Sequence, residues 1–409
     1  MKQTIVLLIA LVIVSCQEKN TNNNSATEMP SAIILHASEF TEASEPLVTS
    51  HHEIEFSSAG WLSFEMNIQT AGRYQVKVYG TSKVNTKTYI EDYIDNKDNR
   101  NYDITGKMPL SETPFTTVDG TPLNKGVHRI KLHVDGPATI EKITFNLMVP
   151  HQSTELTYEQ SMTGSQWSLV WSDEFDGTMI DTTKWNYDVG NWGWGNNELE
   201  YYTVGEKKNA RIENGHLIIE ALKDKTGDTW TSARLTTRGN SSFLYGKIEV
   251  KGKVPSAKGT WAAGWMLADS YIDELSWPYC GEIDIMESVG FEIDSTNGNG
   301  LAHLTAHTAT YYHKLNNQIS SAPEVKNMSG EFHLYAIEWS PKEIKGFVDG
   351  IQYYTYDKTA DELEWPFTKP QNILLNLAMG GDWGGSRGMD TVITSQQLLI
   401  DYVRVYSLK

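Results

Sequence analysis

Gly281-Glu282-Ile283-Asp284-Ile285-Met286-Glu287-Ser288-Val289-Gly290 sets three carboxylates inside an apolar run. Ile283, Ile285 and Val289 are strong strand formers, so the stretch reads as a β-strand. Side chains alternate between the faces of a strand. Glu282 and Asp284 therefore share one face, and Ile283 and Ile285 share the other. Glu287, five positions after Glu282, would fall with the isoleucines, where an unpaired carboxylate is costly to bury. One extra residue near Met286, a β-bulge, returns Glu287 to the acidic face, and bulges are common beside active sites because they re-aim a side chain.

With the bulge, the two glutamates are separated by roughly 13 Å between Cα atoms. Leaning together, they bring their carboxyl groups to about 5–5.5 Å, the spacing of a retaining glycosidase. In that chemistry one glutamate attacks the anomeric carbon. The other protonates the leaving oxygen and then takes a proton from water. Asp284 lies between them, can hydrogen-bond the nucleophile, and by its charge helps keep the partner acid protonated. From spacing alone, an edge strand with an acidic solvent face fits equally well. The longer stretch Trp277-Pro278-Tyr279-Cys280-Gly281-Glu282-Ile283-Asp284-Ile285-Met286-Glu287 resembles the active-site strand of glycoside hydrolase family 16, in its bulged form E-x-D-x-x-E. The resemblance implies that Glu282 is the nucleophile, Asp284 its assistant and Glu287 the acid/base.

Other segments carry the same resemblance. Leu169-Val170-Trp171-Ser172-Asp173-Glu174-Phe175-Asp176-Gly177 is similar to the family's opening W-x-D-E-F-D-G. Strands are expected at 245–254, 263–268, 335–339, 344–348, 372–378 and 398–406, and the fold implied is a two-sheet, concanavalin-like β-jelly-roll sandwich. One sheet would be concave, with the acidic strand across its floor. Trp192-Gly193-Trp194-Gly195-Asn196-Asn197-Glu198-Leu199-Glu200-Tyr201-Tyr202-Thr203 resembles W-G-N-N-E-L-Q-Y-Y-T of laminarinases and licheninases, and Asn196 or Asn197, with Asn197 preferred, is expected to bond sugar hydroxyls. Alternatively, this Gly-rich loop packs its aromatics inward.

Trp261 and Trp265 have the even spacing that puts both on one strand face. By resemblance they face the cleft, and Trp277 joins them. Arg234 matches a family arginine along the cleft. Of the two histidines in His303-Leu304-Thr305-Ala306-His307, His307 is preferred as the sugar contact or support of the acid/base. A metalloenzyme is not expected, because no H-E-x-x-H and no third ligand follow. Trp383, in a glycine loop, is a candidate sugar-stacking lid. The family's structural calcium ion would fall on backbone oxygens of Glu174 and Gly215 and on the carboxylate of Asp401, an oxygen set that suits calcium. Asp401 capping a hydrogen-bond network is the other reading. No cofactor is required for the chemistry.

Toward the N-terminus, residues 1–16 read as a lipoprotein signal: Lys2, an apolar run too short to span a bilayer, then Ile13-Val14-Ser15-Cys16, which resembles a bacterial lipobox with Cys16 as the lipidated residue. Residues 17–31 are polar and read as a flexible tether. With Cys16 lipidated, Cys280 has no disulfide partner; a buried small residue is the expected reading for it. Residues 32–149 alternate apolar and polar positions in short runs, the pattern of an antiparallel β-sandwich. Ser58-Ala59-Gly60-Trp61-Leu62, Ala71-Gly72-Arg73-Tyr74 and Gly126-Val127-His128 resemble a carbohydrate-binding module of family 6, but the loop Gly136-Pro137-Ala138-Thr139 lacks that family's sugar-clasping Asn. Trp61 is expected in the core, as strand tryptophans of sandwiches usually are. His51 and His52 have no further metal-ligand spacing around them. Residues 150–166 read as a linker, and 167–409 as the catalytic domain.

The formal charge of −18 over 409 residues excludes nucleic acid and anionic membrane as main partners. The expectation is an all-β, lipid-anchored protein of the bacterial envelope, at the outer membrane or cell surface and monomeric. It would cut internal bonds of β-1,3- or mixed-linkage β-1,3/1,4-glucan. Three alternatives stay open: a galactan hydrolase (agarase, porphyranase or carrageenase), a transglycosylase, and a non-catalytic surface glycan-binding protein. Three intact carboxylates argue against the last.

Overall fold

The computed structural model describes residues 31–44, 48–50, 52–93, 101–226 and 229–409. Cys16, most of the polar segment 17–31, and His51 lie outside the described residues. Alternation builds the first sandwich. In the strand Gly60–Ile68, Leu62, Phe64, Met66 and Ile68 are buried while Glu65 and Asn67 are exposed. In Gly72–Thr81, Tyr74, Val76 and Val78 are buried. Gly126–Val134 pairs with Gly60–Ile68, and Ala138–Pro150 pairs with Gly72–Thr81, both antiparallel. Two six-stranded sheets result, and their inner faces meet in one apolar core. Trp61 is not in that core. Its odd position turns it to the outer face, partly exposed, with Lys131 Nζ 4.0 Å from its ring centroid.

The second sandwich stacks a nine-stranded sheet on a ten-stranded one. Across the first run Leu156–Glu159, Ser241–Leu244, Gln371–Met379, Thr260–Ala268, Glu282–Val289, His303–His307 and Ile319–Ser321. In the second, Ser395–Leu408 lies between His216–Lys223 and Gly246–Lys253. Ala262, Met266, Ile283, Ile285, Leu304 and Leu375 from one sheet meet Ile248, Val250, Ile337 and Val403 from the other. All of these are buried, so the opposite faces of the same strands are left to form the concave surface.

One feature of the domain boundary differs from its reading as a linker. The segment 150–166 is not a free linker. Leu156–Glu159 adds a parallel edge strand to Ser241–Leu244, Tyr158 stacks on Phe243 at 5.6 Å, and Gln166 bonds the backbone of Lys409. Its polar composition reflects an edge position with one wet face. The two sandwiches pack on each other, and residues 32–409 form one compact unit. Trp192, Trp194 and Tyr202 of the second pack into the apolar cluster of the first. Arg73 Nη2 sits 3.2 Å from Asp188 Oδ1, and its guanidinium lies 5.1 Å from the Trp194 ring. Asp119 and Asn191 exchange two hydrogen bonds, and Tyr201 donates to Asp119 Oδ2 at 3.1 Å. The backbones approach so closely that a Cβ on Gly190 would lie 2.1 Å from the Asp119 carbonyl oxygen, at a φ of +126°.

Candidate active site

The strand Glu282–Val289 runs across the concave sheet. Opposite Thr260–Ala268, Gly264 pairs with Met286 and Trp265 with Asp284, so Ile285 is the extra residue. Opposite His303–His307, Asp284 pairs with Thr305 and Glu287 with His303, two intervening residues facing one. This is the expected bulge. Ile283, Ile285 and Met286 all enter the core, while Glu282, Asp284 and Glu287 all line one cavity of about 550 Å³. The neighbouring strands alternate in the same way. Trp261, Ala263, Trp265 and Leu267 line the cavity from one side, and His303, Thr305 and His307 from the other.

Each glutamate is clamped by an indole. Trp277 Nε1–H donates to Glu282 Oε2 at 3.1 Å, and Trp261 Nε1–H donates to Glu287 Oε1 at 2.9 Å. His307 Nε2 is 3.3 Å from Asp284 Oδ2 and 3.8 Å from Glu282 Oε1, so the three groups offer ligand atoms within 4.8 Å of one another. Burial, reinforced by the neighbouring Asp284 carboxylate, pushes both Glu282 and Glu287 up to about 8. Burial also pushes Asp284 well above the usual carboxylate range. Three carboxyl groups crowded into one pocket cannot all ionise near neutrality, and they titrate as a unit. Such a cluster holds protons at a pH where isolated carboxylates have lost them. That is what general acid catalysis needs.

Trp383 stands over Glu287's end of the cleft, edge-on to Trp261 at 5.3 Å and to His303 at 4.8 Å. His303 Nε2 bonds Glu292 at 2.6 Å. Arg234 lines the cavity but is buried between the rings of Trp194 and Trp265, each 4.7 Å away, with its Nε on Asp188 Oδ2 at 3.1 Å. It braces the cleft wall. Asn197 is turned away: its φ is +55°, it is exposed, and its amide donates to Asp382 Oδ1 at 2.9 Å. Asn196 is the member of the pair that lines the main cavity.

Several residues went unnoticed in the sequence. His313 lies 5.5 Å from His307 and 5.4 Å from Trp277. Glu198 lies in the cleft wall, where a chain of hydrogen bonds runs from Trp265 Nε1 to Asn376 (2.8 Å), from Asn376 to Tyr202 (3.0 Å) and from Tyr202 to Glu198 (3.0 Å). The E-L-E spacing of Glu198 and Glu200, at the entry to the strand Glu200–Tyr202, was the signal. Burial and its neighbour Glu198 push Glu200 well above the carboxylate range. Cys280 is buried, as expected.

The expected calcium ligands do not, as arranged, offer an open carboxylate. Asp401 Oδ2 is 2.8 Å from Lys251 Nζ, and Oδ1 faces His216 Nδ1 at 3.3 Å. The Glu174 carboxylate takes two hydrogen bonds from Arg404. Gly215 forms the two-residue turn with Asn214, φ +75° and +53°, between Ala210–Glu213 and His216–Lys223. A dication there must first displace an ammonium group.

A concave β-sheet with two indole-clamped glutamates on the floor of an aromatic-lined cleft defines a glycosidase. The chain belongs to glycosyl hydrolases family 16, whose description matches residues 197–404. It is 45% identical over 276 residues to the beta-glucanase of Rhodothermus marinus, covering 65% of this chain and 94% of that protein. The solved laminarinase from Rhodothermus marinus superposes with a TM-score of 0.55 at 46% identity, covering 59% of this chain and 98% of that one. The laminarinase catalytic domain from Thermotoga maritima gives 0.52 at 43%, covering 60% and 100%.

Proposed function

We propose that this protein hydrolyses internal bonds of a β-1,3- or mixed-linkage β-1,3/1,4-glucan with retention of configuration. The observation that carries the reading is the bulged strand, which sets Glu282, Asp284 and Glu287 on one cleft floor with a separate indole on each glutamate. The Trp277 N–H holds Glu282 Oε2 and leaves Oε1 to attack the anomeric carbon. Glu287 is fixed through Oε1 by Trp261, so its other oxygen carries the proton to the departing glycosidic oxygen. A covalent glycosyl–Glu282 ester forms as that bond breaks. Water, deprotonated by Glu287, then releases the sugar and restores both groups. Asp284 and His307 lie beside the nucleophile and set its charge. Trp261, Trp265, Trp277 and Trp383 present ring faces and edges for sugar contact, and Arg234 acts by holding Trp265.

The test is product analysis on laminarin, barley mixed-linkage glucan, agarose, porphyran and carrageenan, with Glu282→Ala alongside. Short β-glucan oligosaccharides from the wild type alone support the reading. Activity confined to a galactan keeps the mechanism and sinks the substrate. The galactan reading is kept because the chain is also 30% identical to the keratan-sulfate endo-1,4-β-galactosidase of Sphingobacterium multivorum. The lipid anchor at Cys16, the envelope location and the monomeric state belong to the same proposal and rest on the Ile13-Val14-Ser15-Cys16 motif and a polymeric substrate. Metabolic labelling with a fatty acid, lost in Cys16→Ala, checks the anchor. A structural calcium ion requires Lys251 to leave Asp401. A calcium-dependent rise in Tm, absent in Asp401→Asn, would establish it.

A further inference from the structure

The first sandwich comes up beside the cleft. A notch of about 60 Å³ opens at the junction of the two sandwiches, lined by Asn101, Tyr102, Asp103 and Gly106 of the first and by Asn197 of the second. Trp192, Gly195, Glu274 and Lys314 line both this notch and the main cavity, so the two share a wall. The notch is much smaller than the main cavity. It has room for a few waters, and so for the hydroxyl edge of one ring. Its walls carry amides, carboxylates and an ammonium group, a mixture of donors and acceptors suited to vicinal hydroxyls rather than to an ion. Its shape is held by the interface itself. Asp103 Oδ1 accepts from Thr105 N at 3.1 Å and Gly106 N at 2.9 Å, and Trp192 is packed in the first sandwich's apolar cluster.

We propose that this notch is a distal subsite. In it Asn101 and Asp103 of the first sandwich, with Asn197, Glu274 and Lys314 of the second, hold one glycosyl unit of the polymer beyond those in the main cleft. The first sandwich thereby reads the same chain that the second cuts. This rests on the reading of the cleft as a polysaccharide-cleaving site.

The experiment is steady-state kinetics of the full chain on a ladder of β-1,3-linked oligosaccharides and on laminarin. It compares wild type with Asn101→Ala, which removes an exposed amide whose Nδ2 donates to Glu91 Oε2 at 3.0 Å and whose Oδ1 is the group offered to sugar, and Asn101→Tyr, which plugs the notch. Asp103 is left alone because it holds the turn. Losing about one hydrogen bond should raise KM for the longest oligosaccharides and the polymer roughly three- to tenfold. The shortest cleaved substrates should keep wild-type kcat and KM. Equal kinetics at every length, or a uniform loss at every length, overturns the subsite while leaving the cleft reading intact. A wild type that cleaves no member of the ladder overturns the cleft reading itself and the subsite with it.

Discussion

Glu287 meets two demands at once: it must carry a proton when substrate binds and lose it when water attacks. Glu282 and Glu287 are both pushed up to about 8 and titrate with Asp284 as a unit, so kcat/KM should fall on the alkaline side as the cluster loses its last proton and Glu287 is ionised. Initial rates on laminarin across the pH range check this, and a rate that stays flat through the alkaline range removes Glu287 from the role. The same shift has a consequence for stability. A carboxyl group whose folded pKa lies above its unfolded one stabilises fully only below the unfolded value, and that contribution is lost as pH rises through the folded pKa. Glu287→Gln keeps an acceptor for the Trp261 indole and abolishes the charge. Its Tm should match wild type in acid and exceed it near pH 8. Wild-type relaxation and water entry reduce the gain to ~1–2 kcal/mol, about 2–4 °C. Catalytic groups held at a cost to stability behave this way. A Tm difference that does not change with pH would show that the carboxylate is not penalised in the fold.

At the level of the strand, function depends on one extra residue. Ile285 and Met286 together face Leu304, and both lie in the core. Deleting Ile285 would leave Glu287 four positions after Glu282 and still on the acidic face, but inserting one alanine between Met286 and Glu287 sends Glu287 to the core face beside Ile283. An unpaired carboxylate there costs several kcal/mol, so the insertion should lower Tm by many degrees and abolish hydrolysis. The same insertion in a Glu287→Leu background should recover much of the Tm and none of the activity. An insertion variant with normal Tm would mean that the register re-forms elsewhere. The bulge was legible in the sequence because three carboxylates at these positions cannot share a face without it. The alternation of Trp261 with Trp265 was equally plain. Arg234 was harder to place. Its partners Asp188, Trp194 and Trp265 come from three separated segments, and no local period encodes that stack. Asn197 lines the notch and not the main cavity, a direction that no local period encodes because its left-handed φ breaks any alternation. The strand Leu156–Glu159 was missed because an edge strand with one wet face has the composition of a linker.

On the scale of the whole molecule, what holds the two sandwiches together also holds the cleft. Asp188 sits at the join, with Arg73 reaching it from the first sandwich and Arg234 from the second. The three charges hold its carboxylate below the usual range despite burial, Arg238 being the third. Trp194 lies against both Arg73 and Arg234 and also lines the cavity, so it transmits the interface to the cleft wall. Arg73→Ala leaves Asp188 with its other guanidinium neighbours. The expected stability loss is therefore ~1 kcal/mol rather than the 3–5 of a fully orphaned buried ion. Its effect on the cleft should be larger in proportion: a severalfold rise in KM for glucan with kcat nearly kept, because the catalytic glutamates are clamped by Trp261 and Trp277, which touch neither arginine's stack. Arg73→Lys, which keeps charge but not the flat contact with Trp194, should fall between the two. A chain of residues 151–409 alone would expose Trp192, Trp194 and Tyr202, and should aggregate or melt well below the full chain. Unfolding curves and steady-state kinetics on the three proteins decide it. If residues 151–409 melt and cleave like the full chain, the first sandwich is only a passenger, and the join at Asp188 carries neither stability nor substrate recognition.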